Sequence, residues 1–398
     1  MTRVHILDLP PSHHFLPVPS DWYPLYINQR YFHDLGITFR FFSAPDPGLN
    51  NCDVVFLSSR YFALQTKSTT ERAHHLSYIA SLKTSTNKIF WFDFRDSTGN
   101  TQFEVLPYVD LYLKKQLLRN LSLYTSAFYG NRIYTDFIHR TQGVSDDYTE
   151  SCVPLLPQFH SKLTISWNPG LLDFRGGLNR HLVKQQIIDH WETRFPNDHH
   201  ITWQNPLAPR PYHMLARFNI NYQRRTVSWQ RRHALQLLHQ LNDPFIISRS
   251  ELTLSEELSY RRQVKIVLSL FGWGEICSRD FQAWIAGAAL IAPDTSHLVT
   301  YPVTHIPGQT YLPIKWDLSD LSSAYQRLIN DSSLRLNLAQ SGQARYRFVW
   351  SKGLPGGQPA GARWGSPAPP PVYLRVAFHN VTSIVQRRRN HFELDLPK

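Results

Sequence analysis

Short apolar runs alternate with segments of helix length twice along this chain of 398 residues, and this repeat limits the fold more than any other feature. In the first third, strand-like runs cover residues 4–9, 37–42, 52–57, 88–92 and 109–113, and helix-length segments cover 22–35 and 69–82. Apolar runs separated by helices are typical of a parallel sheet with covering helices. A chain of this length is too long for one typical core and sufficient for two such domains.

The same alternation restarts after residue 205. Strand-like runs cover 212–218, 244–247, 264–270, 289–292 and 311–315, and helical segments cover 226–241, 255–263, a stretch from about 278, and 321–348. The predicted fold class is therefore α/β, with two Rossmann-like domains, 1–204 and 205–349, facing each other across a cleft. Residues 350–398 are predicted to form a flexible Pro/Gly-rich tail with a short terminal helix at about 373–387, and a further helix is predicted at about 178–191.

The turn that follows the apolar run 264–270 has the features of an anion-binding loop. Gly272 and Gly274 permit a tight turn with its backbone exposed to a ligand. We expect Ser278 to be the N-cap of the next helix, with Asp280 in its first turn. A strand, a Gly-rich turn and a helix N-terminus together present free N–H groups to an anion, although such a turn is also compatible with a simple tight connection.

The residues after this turn resemble a known family. The segment 282–287 reads Gln-Ala-Trp-Ile-Ala-Gly, and the whole stretch resembles the donor-binding turn of the GT-B glycosyltransferases, in the retaining group with a Glu-x7-Glu motif. The similarity extends over roughly residues 205–348. It implies two facing Rossmann-like domains, a nucleotide-sugar donor on the second, an acceptor on the first, retention of the anomeric configuration, and no metal ion.

The resemblance also assigns roles to individual residues. Backbone amides of 272–275 would approach the sugar and phosphates, and Glu275 would bind sugar hydroxyls as the first motif glutamate. Gln282 occupies the position of the second glutamate, which binds ribose, and only six residues separate it from Glu275. A carbonyl oxygen makes a weaker bond than a carboxylate, so Asp280 is an alternative ribose ligand. The predicted donor-binding set also contains two neighbours of Glu275, Trp273 and Ile276, and two residues of the loop after the run 289–292, Asp294 and His297.

The departing diphosphate requires positive charge, because negative charge builds up on its oxygens. The resemblance implies that basic residues from the first turns of the second domain supply it. Arg217 is the preferred candidate, with Arg224 and Arg225 as further donor-binding residues. Arg231 and Arg232, which lie inside a predicted helix, are interpreted as a solvated face.

The sequence of the first domain gives weaker indications of functional residues. His13 and His14 follow its first strand, and Asp93 with Asp96 follows the run 88–92, so His13, His14 and Asp93 are the acceptor-side candidates. Histidines occur as adjacent pairs, which seldom share one ion because neighbours point to different faces, and no metal or other cofactor is predicted.

Charge and composition are compatible with several classes of binding partner. The net charge of +12 suits phosphorylated ligands, anionic membranes and nucleic acids alike, but no nucleic-acid-binding module is recognised and no nucleic-acid partner is predicted. No run reaches the length of a membrane span, so a cytoplasmic protein with peripheral contact to an anionic membrane is expected. The expected partners are a nucleotide-diphosphate sugar and a glycan, lipid-linked or small-molecule acceptor. The alternatives are a weakened glycosyltransferase-like protein with a structural or regulatory role and a basic nucleic-acid-binding protein.

Overall fold

The computed structural model describes residues 1–10, 20–85, 88–147, 152–171, 201–248 and 252–353. The strands of these residues are β1 (Thr2–Leu7), β2 (Ile37–Phe42), β3 (Val54–Ser58), β4 (Ile89–Asp93), β5 (Leu111–Lys114), β6 (Gln116–Leu118), β7 (Leu163–Ile165), β8 (Tyr212–Leu215), β9 (Ile246–Ile247), β10 (Val264–Leu268), β11 (Ala289–Pro293), β12 (Leu298–Thr300) and β13 (Leu312–Ile314). The helices are α1 (Tyr23–Ile27), α2 (Gln29–Asp34), α3 (Ser59–Phe62), α4 (Thr69–Ser85), α5 (Ile133–Gln142), α6 (Arg225–Gln240), α7 (Leu254–Gln263), α8 (Ser278–Ile285), α9 (Leu321–Asn330) and α10 (Ser332–Gly353).

The strands form two parallel sheets, one in each half of the chain. The first has the order β2-β1-β3-β4-β5-β7 and the second the order β13-β11-β10-β8-β9. Every residue of β3, β4 and β11 is buried, as expected for central strands with both faces covered. The predicted fold class, two Rossmann-like domains as in GT-B proteins, is confirmed.

The two domains are packed against each other through a shared core, a small sheet and the last described helix. A hydrophobic cluster combines residues of the first domain, such as Trp22 and Trp167, with residues of the second, such as Phe281 and Trp284. Strands β6 and β12 form a two-stranded antiparallel sheet between the domains. On α10, the Tyr346 hydroxyl donates to the carbonyl oxygen of Gly170, 2.8 Å away, so the last described helix also contacts the first domain.

Two predicted helices are divided in the structure. The segment 22–35 forms α1 and α2, which separate at Asn28, whose side-chain amide donates to the carbonyl oxygen of Pro24. The tract 321–348 forms α9 and α10, which separate at Asp331 because its carboxylate accepts the Leu334 backbone N–H at 2.8 Å and caps the second helix. The helices predicted at 178–191 and 373–387 lie outside the described residues, and the domain boundary at 204 stays a prediction. None of the described helices is both long enough and apolar enough to cross a membrane.

Candidate functional site

The Gly-rich loop connects the carboxyl end of β10 to the start of α8, and both of its glycines lie in close contacts. A Cβ atom on Gly274 would lie 2.0 Å from the backbone oxygen of Asp96 in the first domain. A Cβ atom on Gly272 would lie 2.9 Å from Nη2 of Arg231 on α6. The loop is therefore held between the two domains at the edge of the sheet where ligands of Rossmann-like folds bind.

Glu275, which ends this loop, is 4% exposed and binds donors of the first domain. Its Oε1 accepts from the hydroxyls of Ser97 at 3.1 Å and Thr98 at 2.6 Å. Its Oε2 accepts from the Thr98 backbone N–H at 3.2 Å and from Nε2 of Gln116 at 2.7 Å. The carboxylate predicted to bind sugar hydroxyls is thus occupied by four protein donors, and it fixes the loop to the first domain.

Trp273 is 40% exposed and lies beside two arginines, one from each domain. The guanidinium carbons of Arg132 and Arg224 lie 5.0 and 5.7 Å from the centre of its ring. Both guanidinium groups donate to the carbonyl oxygen of Gly130, at 2.9 and 2.8 Å. Arg224 therefore reaches the predicted site, where it also connects the domains. Arg132 was not predicted, and neither was Tyr134, whose hydroxyl donates to a carbonyl oxygen of the loop.

The start of α8 differs from the prediction at three residues. Its N-cap is Cys277 and not Ser278. The Asp280 carboxylate accepts the Cys277 backbone N–H at 3.0 Å and contacts Nε2 of His305 at 3.1 Å, so it caps the helix and is not free to bind ribose. The Ile276 side chain belongs to the hydrophobic cluster shared by the domains and does not face a donor.

Arg231 is 3% exposed and points at the Gly-rich loop, so its assignment to a solvated face was wrong. Its Nε donates to the carbonyl oxygen of Phe271 at 3.2 Å and its Nη1 to that of Asn219 at 2.7 Å. Its guanidinium also lies over the Tyr222 ring, 4.6 Å from the centre. Burial lowers the pKa of Arg231, and the positive charge of Arg279 lowers it further.

A second group of charges surrounds Gln282. The guanidinium of Arg261 donates both to Oε1 of Gln282 and to the carboxylate of Glu257. The same Glu257 carboxylate lies 3.3 Å from Nη1 of Arg217. Burial lowers the pKa of Arg261 to about 10, and the charges of Arg279 and Arg217 act in the same direction. The Gln282 acceptor oxygen is therefore already bound by Arg261.

These two groups together form what we call the arginine cluster: Arg217, Arg231, Arg261 and Arg279. Glu257 is the carboxylate paired with it, because Asp280 is held by His305 and the helix start. Nε of both Arg217 and Arg261 is buried without a hydrogen-bond partner in the described part of the chain. Arg231 and Arg261 are buried, whereas Arg217 and Arg279 are partly exposed. An excess of guanidinium groups is an arrangement that binds anions, particularly phosphates.

The remaining predicted arginines lie on the surface. Nη2 of Arg225 lies 2.8 Å from the carboxylate of Asp147, and the two side chains are 66% and 70% exposed. Exposed pairs of this kind contribute little, and Arg225 does not reach the Gly-rich loop, so the structure gives no support to its donor-binding assignment. Arg232 is exposed, as predicted for a solvated face.

The loop after β11 was predicted to cover the nucleotide. The Asp294 carboxylate accepts the backbone N–H and the hydroxyl of Ser296, so it shapes the loop itself. The ring of His297 lies edge-on to Trp316, with the ring centres 4.9 Å apart. Both ring nitrogens of His297 are buried without a partner among the described residues. Burial lowers the pKa of His297, while the charges of Glu275 and Asp294 act in the opposite direction.

The acceptor-side prediction for Asp93 was wrong. Asp93 is the last residue of β4 and is fully buried. Its carboxylate accepts from Nζ of Lys114 at 2.8 Å and from the Tyr112 hydroxyl at 2.6 Å, so it stabilises the interior of the first domain. His13 and His14, the other acceptor-side candidates, lie outside the described residues. Within those that are described, no group of three or more His, Cys, Asp or Glu side chains is placed to hold a metal ion.

A different set of charges lines the carboxyl edge of the first sheet. Nζ of Lys115 lies 3.0 Å from the Asp96 carboxylate and 3.8 Å from that of Asp21, which also pairs with Arg60. These cations lower the pKa of Asp96 to about 2 in spite of its desolvation. Asp8, which follows β1, accepts from the Trp22 indole, and burial raises its pKa to about 6. Asp96 is the member of this network that the sequence indicated, as a polar residue after the run 88–92.

Comparisons with known proteins find similarity among solved structures. No protein-family model matches the chain, and no curated protein matches it. Among solved structures, the chain is similar to the C-terminal domain of a glycosyl transferase group 1 family protein (LpcC) from Francisella tularensis, with 16% identity over 36% of this chain and 93% of that one, at a TM-score of 0.26.

Two further solved structures match most of both chains. An alpha-glucosyltransferase in complex with UDP and a 13-mer DNA shows 7% identity, covering 87% of this chain and 95% of its own, at a TM-score of 0.40. The T4 phage BGT in complex with UDP-glucose shows 10% identity, covering 89% and 96%, at a TM-score of 0.41. By the order of its own two parallel sheets and by the contacts between them, the chain has the two-domain architecture of GT-B proteins.

Proposed function

We propose that this protein is a glycosyltransferase that binds a nucleoside diphosphate sugar between its domains and transfers the sugar to an acceptor. The arginine cluster beside the Gly-rich loop is the observation that carries the proposal. Arg231 and Arg279 donate to Phe271 and Ser269, which follow β10, and Glu257 is the carboxylate paired with Arg217 and Arg261. Because ligands of such sheets bind at this edge, a diphosphate is the anion that fits the cluster.

The chemical step follows from the charge that develops during transfer. When the bond between the sugar and the diphosphate breaks, negative charge accumulates on the phosphate oxygens. Arg231, whose guanidinium points at the loop, and Arg279 would stabilise that charge together with Arg217. A preorganised group costs no reorganisation at the moment of reaction, so such contacts lower the barrier more than mobile surface charges do.

The roles of the two motif positions change in this proposal. Glu275 positions the loop through Ser97, Thr98 and Gln116, and sugar hydroxyls are bound by other groups, with His297 as the candidate. Gln282 would present N–H donors to ribose oxygens, because Arg261 holds its carbonyl oxygen. Retention of configuration, hexosyl transfer and independence from metal ions are further parts of the proposal and rest on the resemblance at 282–287.

The Gln282 position also favours one second candidate, a protein of the same fold that binds nucleotide but transfers sugar poorly. The charge-assisted bond that a glutamate would make to ribose is missing, and such bonds are about twice as strong as neutral ones. A structural or regulatory role would then follow from ligand-dependent contact between the domains.

One experiment separates these functions. Thermal unfolding is recorded with UDP, GDP and ADP, with their sugar derivatives, and with a single-stranded oligonucleotide. A rise in Tm with a nucleoside diphosphate, followed by hydrolysis or transfer of a radiolabelled sugar donor, supports the transferase. A rise without turnover supports the second candidate, and a rise with the oligonucleotide alone contradicts both.

A further inference from the structure

A cavity of about 530 Å³ lies at the edge of the first sheet, away from the cleft between the domains. It is formed by the first residues of β1 and β2, by α2 and by the turn that precedes β3. Its polar lining consists mainly of Arg3, His5, Gln29, His33, Arg40 and Asn51. A volume of this size is within the range of sites that bind small organic molecules.

The lining is positively charged. In the parallel pairing of β1 with β2, Arg3 is opposite Thr38 and His5 is opposite Arg40, so the two arginines lie on the same face, two positions apart. Burial lowers the pKa of His5, and the nearby charges of Arg40 and Arg3 act in the same direction. No Asp or Glu is among the residues that line it. Two arginines placed this close repel each other, and a bound anion would remove that repulsion.

Two neutral side chains of the lining, Asn51 and Gln29, offer N–H donors. The side-chain oxygen of Asn51 accepts from Nη1 of Arg3 at 3.1 Å. The Asn51 oxygen is therefore occupied, while its amide nitrogen keeps its protons. Nε2 of Gln29 is buried without a hydrogen-bond partner in the described residues. A buried donor without a partner is costly, and an oxyanion would satisfy it.

We propose that this cavity binds the phosphate group of a small phosphorylated organic molecule. Arg3 and Arg40 contact the phosphate oxygens, Gln29 and Asn51 donate further hydrogen bonds, and Ile37 and Phe39 line the space for the organic part. The site lies near the amino ends of β1 and β2, whereas the Gly-rich loop contacts the carboxyl edge of the same sheet. The inference is therefore independent of the proposed transferase function.

The test is isothermal titration calorimetry of the full chain with glucose 6-phosphate, with glucose as the uncharged probe. The variants are Arg3→Gln and Arg40→Gln, and the matched control is Arg225→Gln, which removes the same charge from an exposed pair with Asp147. We expect glucose 6-phosphate to bind, glucose not to bind, and each cavity variant to weaken binding about tenfold while the control does not. Arg3 and Arg40 are exposed, and circular dichroism checks that the variants fold.

A phosphate group could belong to a soluble metabolite or to a lipid headgroup. A second arm therefore measures co-sedimentation of the protein with two kinds of phosphatidylcholine vesicle at low and high salt. One kind contains phosphatidic acid at a mole fraction of about 0.2, and the other contains none. Binding to the phosphatidic acid vesicles that Arg40→Gln reduces and Arg225→Gln does not would assign the phosphate to a lipid. The proposal is overturned if neither glucose 6-phosphate nor the phosphatidic acid vesicles bind. It is also overturned if both bind equally well to the cavity variants and to the control.

Discussion

The carboxylate of Glu275 accepts a 2.6 Å hydrogen bond from the hydroxyl of Thr98, a residue 177 positions earlier in the chain. This contact joins the loop after β10 to the carboxyl edge of the first sheet. It places the arginine cluster, the exposed Trp273 and the Asp96 network around one junction between the domains. In the proposed function, the same contact fixes the loop on which donor binding depends.

Replacing Glu275 should therefore weaken the junction. Glu275→Ala leaves the buried donors of Ser97, Thr98 and Gln116 without their acceptor, and we expect a loss of roughly 2–4 kcal/mol in the free energy of unfolding. Glu275→Gln keeps the shape and should lose less. Urea unfolding measures the change against Asp147→Asn, a control at an exposed carboxylate. Equal stability of Glu275→Ala and the control would show that the contact is not stabilising.

The two glycines of the loop should respond differently to alanine. At Gly274 the new Cβ would meet the backbone oxygen of Asp96 at 2.0 Å, and neither backbone segment can move without separating the domains. At Gly272 it would meet the end of the Arg231 side chain at 2.9 Å, which can shift. We expect Gly274→Ala to cost about 2 kcal/mol or more and Gly272→Ala about 1 kcal/mol or less in thermal or urea unfolding. The reverse order would contradict the described contact between loop and first domain.

Arg261 should matter far more to stability than the exposed Arg225. Arg261→Met leaves the buried Glu257 carboxylate without one of its cations and Gln282 without its donor, so a loss of about 3–5 kcal/mol is expected. Arg225→Met removes only an exposed ion pair and should change stability by less than about 1 kcal/mol. Parallel urea titrations of the two variants measure the difference, and similar losses would speak against a buried charge group around Gln282.

Asp8 should make stability fall as the pH rises. Burial raises its pKa from 3.8 to about 6, so between about pH 4 and pH 6 the folded protein holds a proton that the unfolded chain has lost. Stability falls with pH wherever the folded state binds more protons, and this group contributes about 3 kcal/mol over that window. Tm measured from pH 4 to pH 6.5 should therefore decline more in the wild type than in Asp8→Asn. Identical profiles of the two proteins would exclude the raised pKa.

The local features of this fold could be predicted from the sequence, because they depend on neighbouring residues. The strands β3, β4 and β10 are short apolar runs, and the loop after β10 is recognisable from Gly272 and Gly274. Glu257 and Arg261 are four residues apart on one helix, a spacing that could have indicated their ion pair. Arg231 also carried a signal, since it lies four residues after Val227 and three before Ala234 on the apolar face of α6.

The contacts between the domains could not be predicted in this way. The donors to Glu275 come from residues 97, 98 and 116, and nothing in their local pattern indicates a partner in the second domain. Asp93 was misplaced for a related reason. It follows the run 88–92 and was assigned to the acceptor side of the cleft, but β4 includes it, and its partner Lys114 comes from the neighbouring strand.

The most direct test of the proposed donor site is the dissociation constant of UDP and GDP for the wild type, Arg231→Gln and Arg225→Gln, measured by isothermal titration calorimetry. Arg231 is buried and directed at the loop, whereas Arg225 is exposed and paired with Asp147. Loss of a charge-assisted contact to the diphosphate should raise the constant about tenfold or more in Arg231→Gln and leave it unchanged in Arg225→Gln. Equal binding by all three proteins, or binding by none, would contradict a diphosphate site at the arginine cluster.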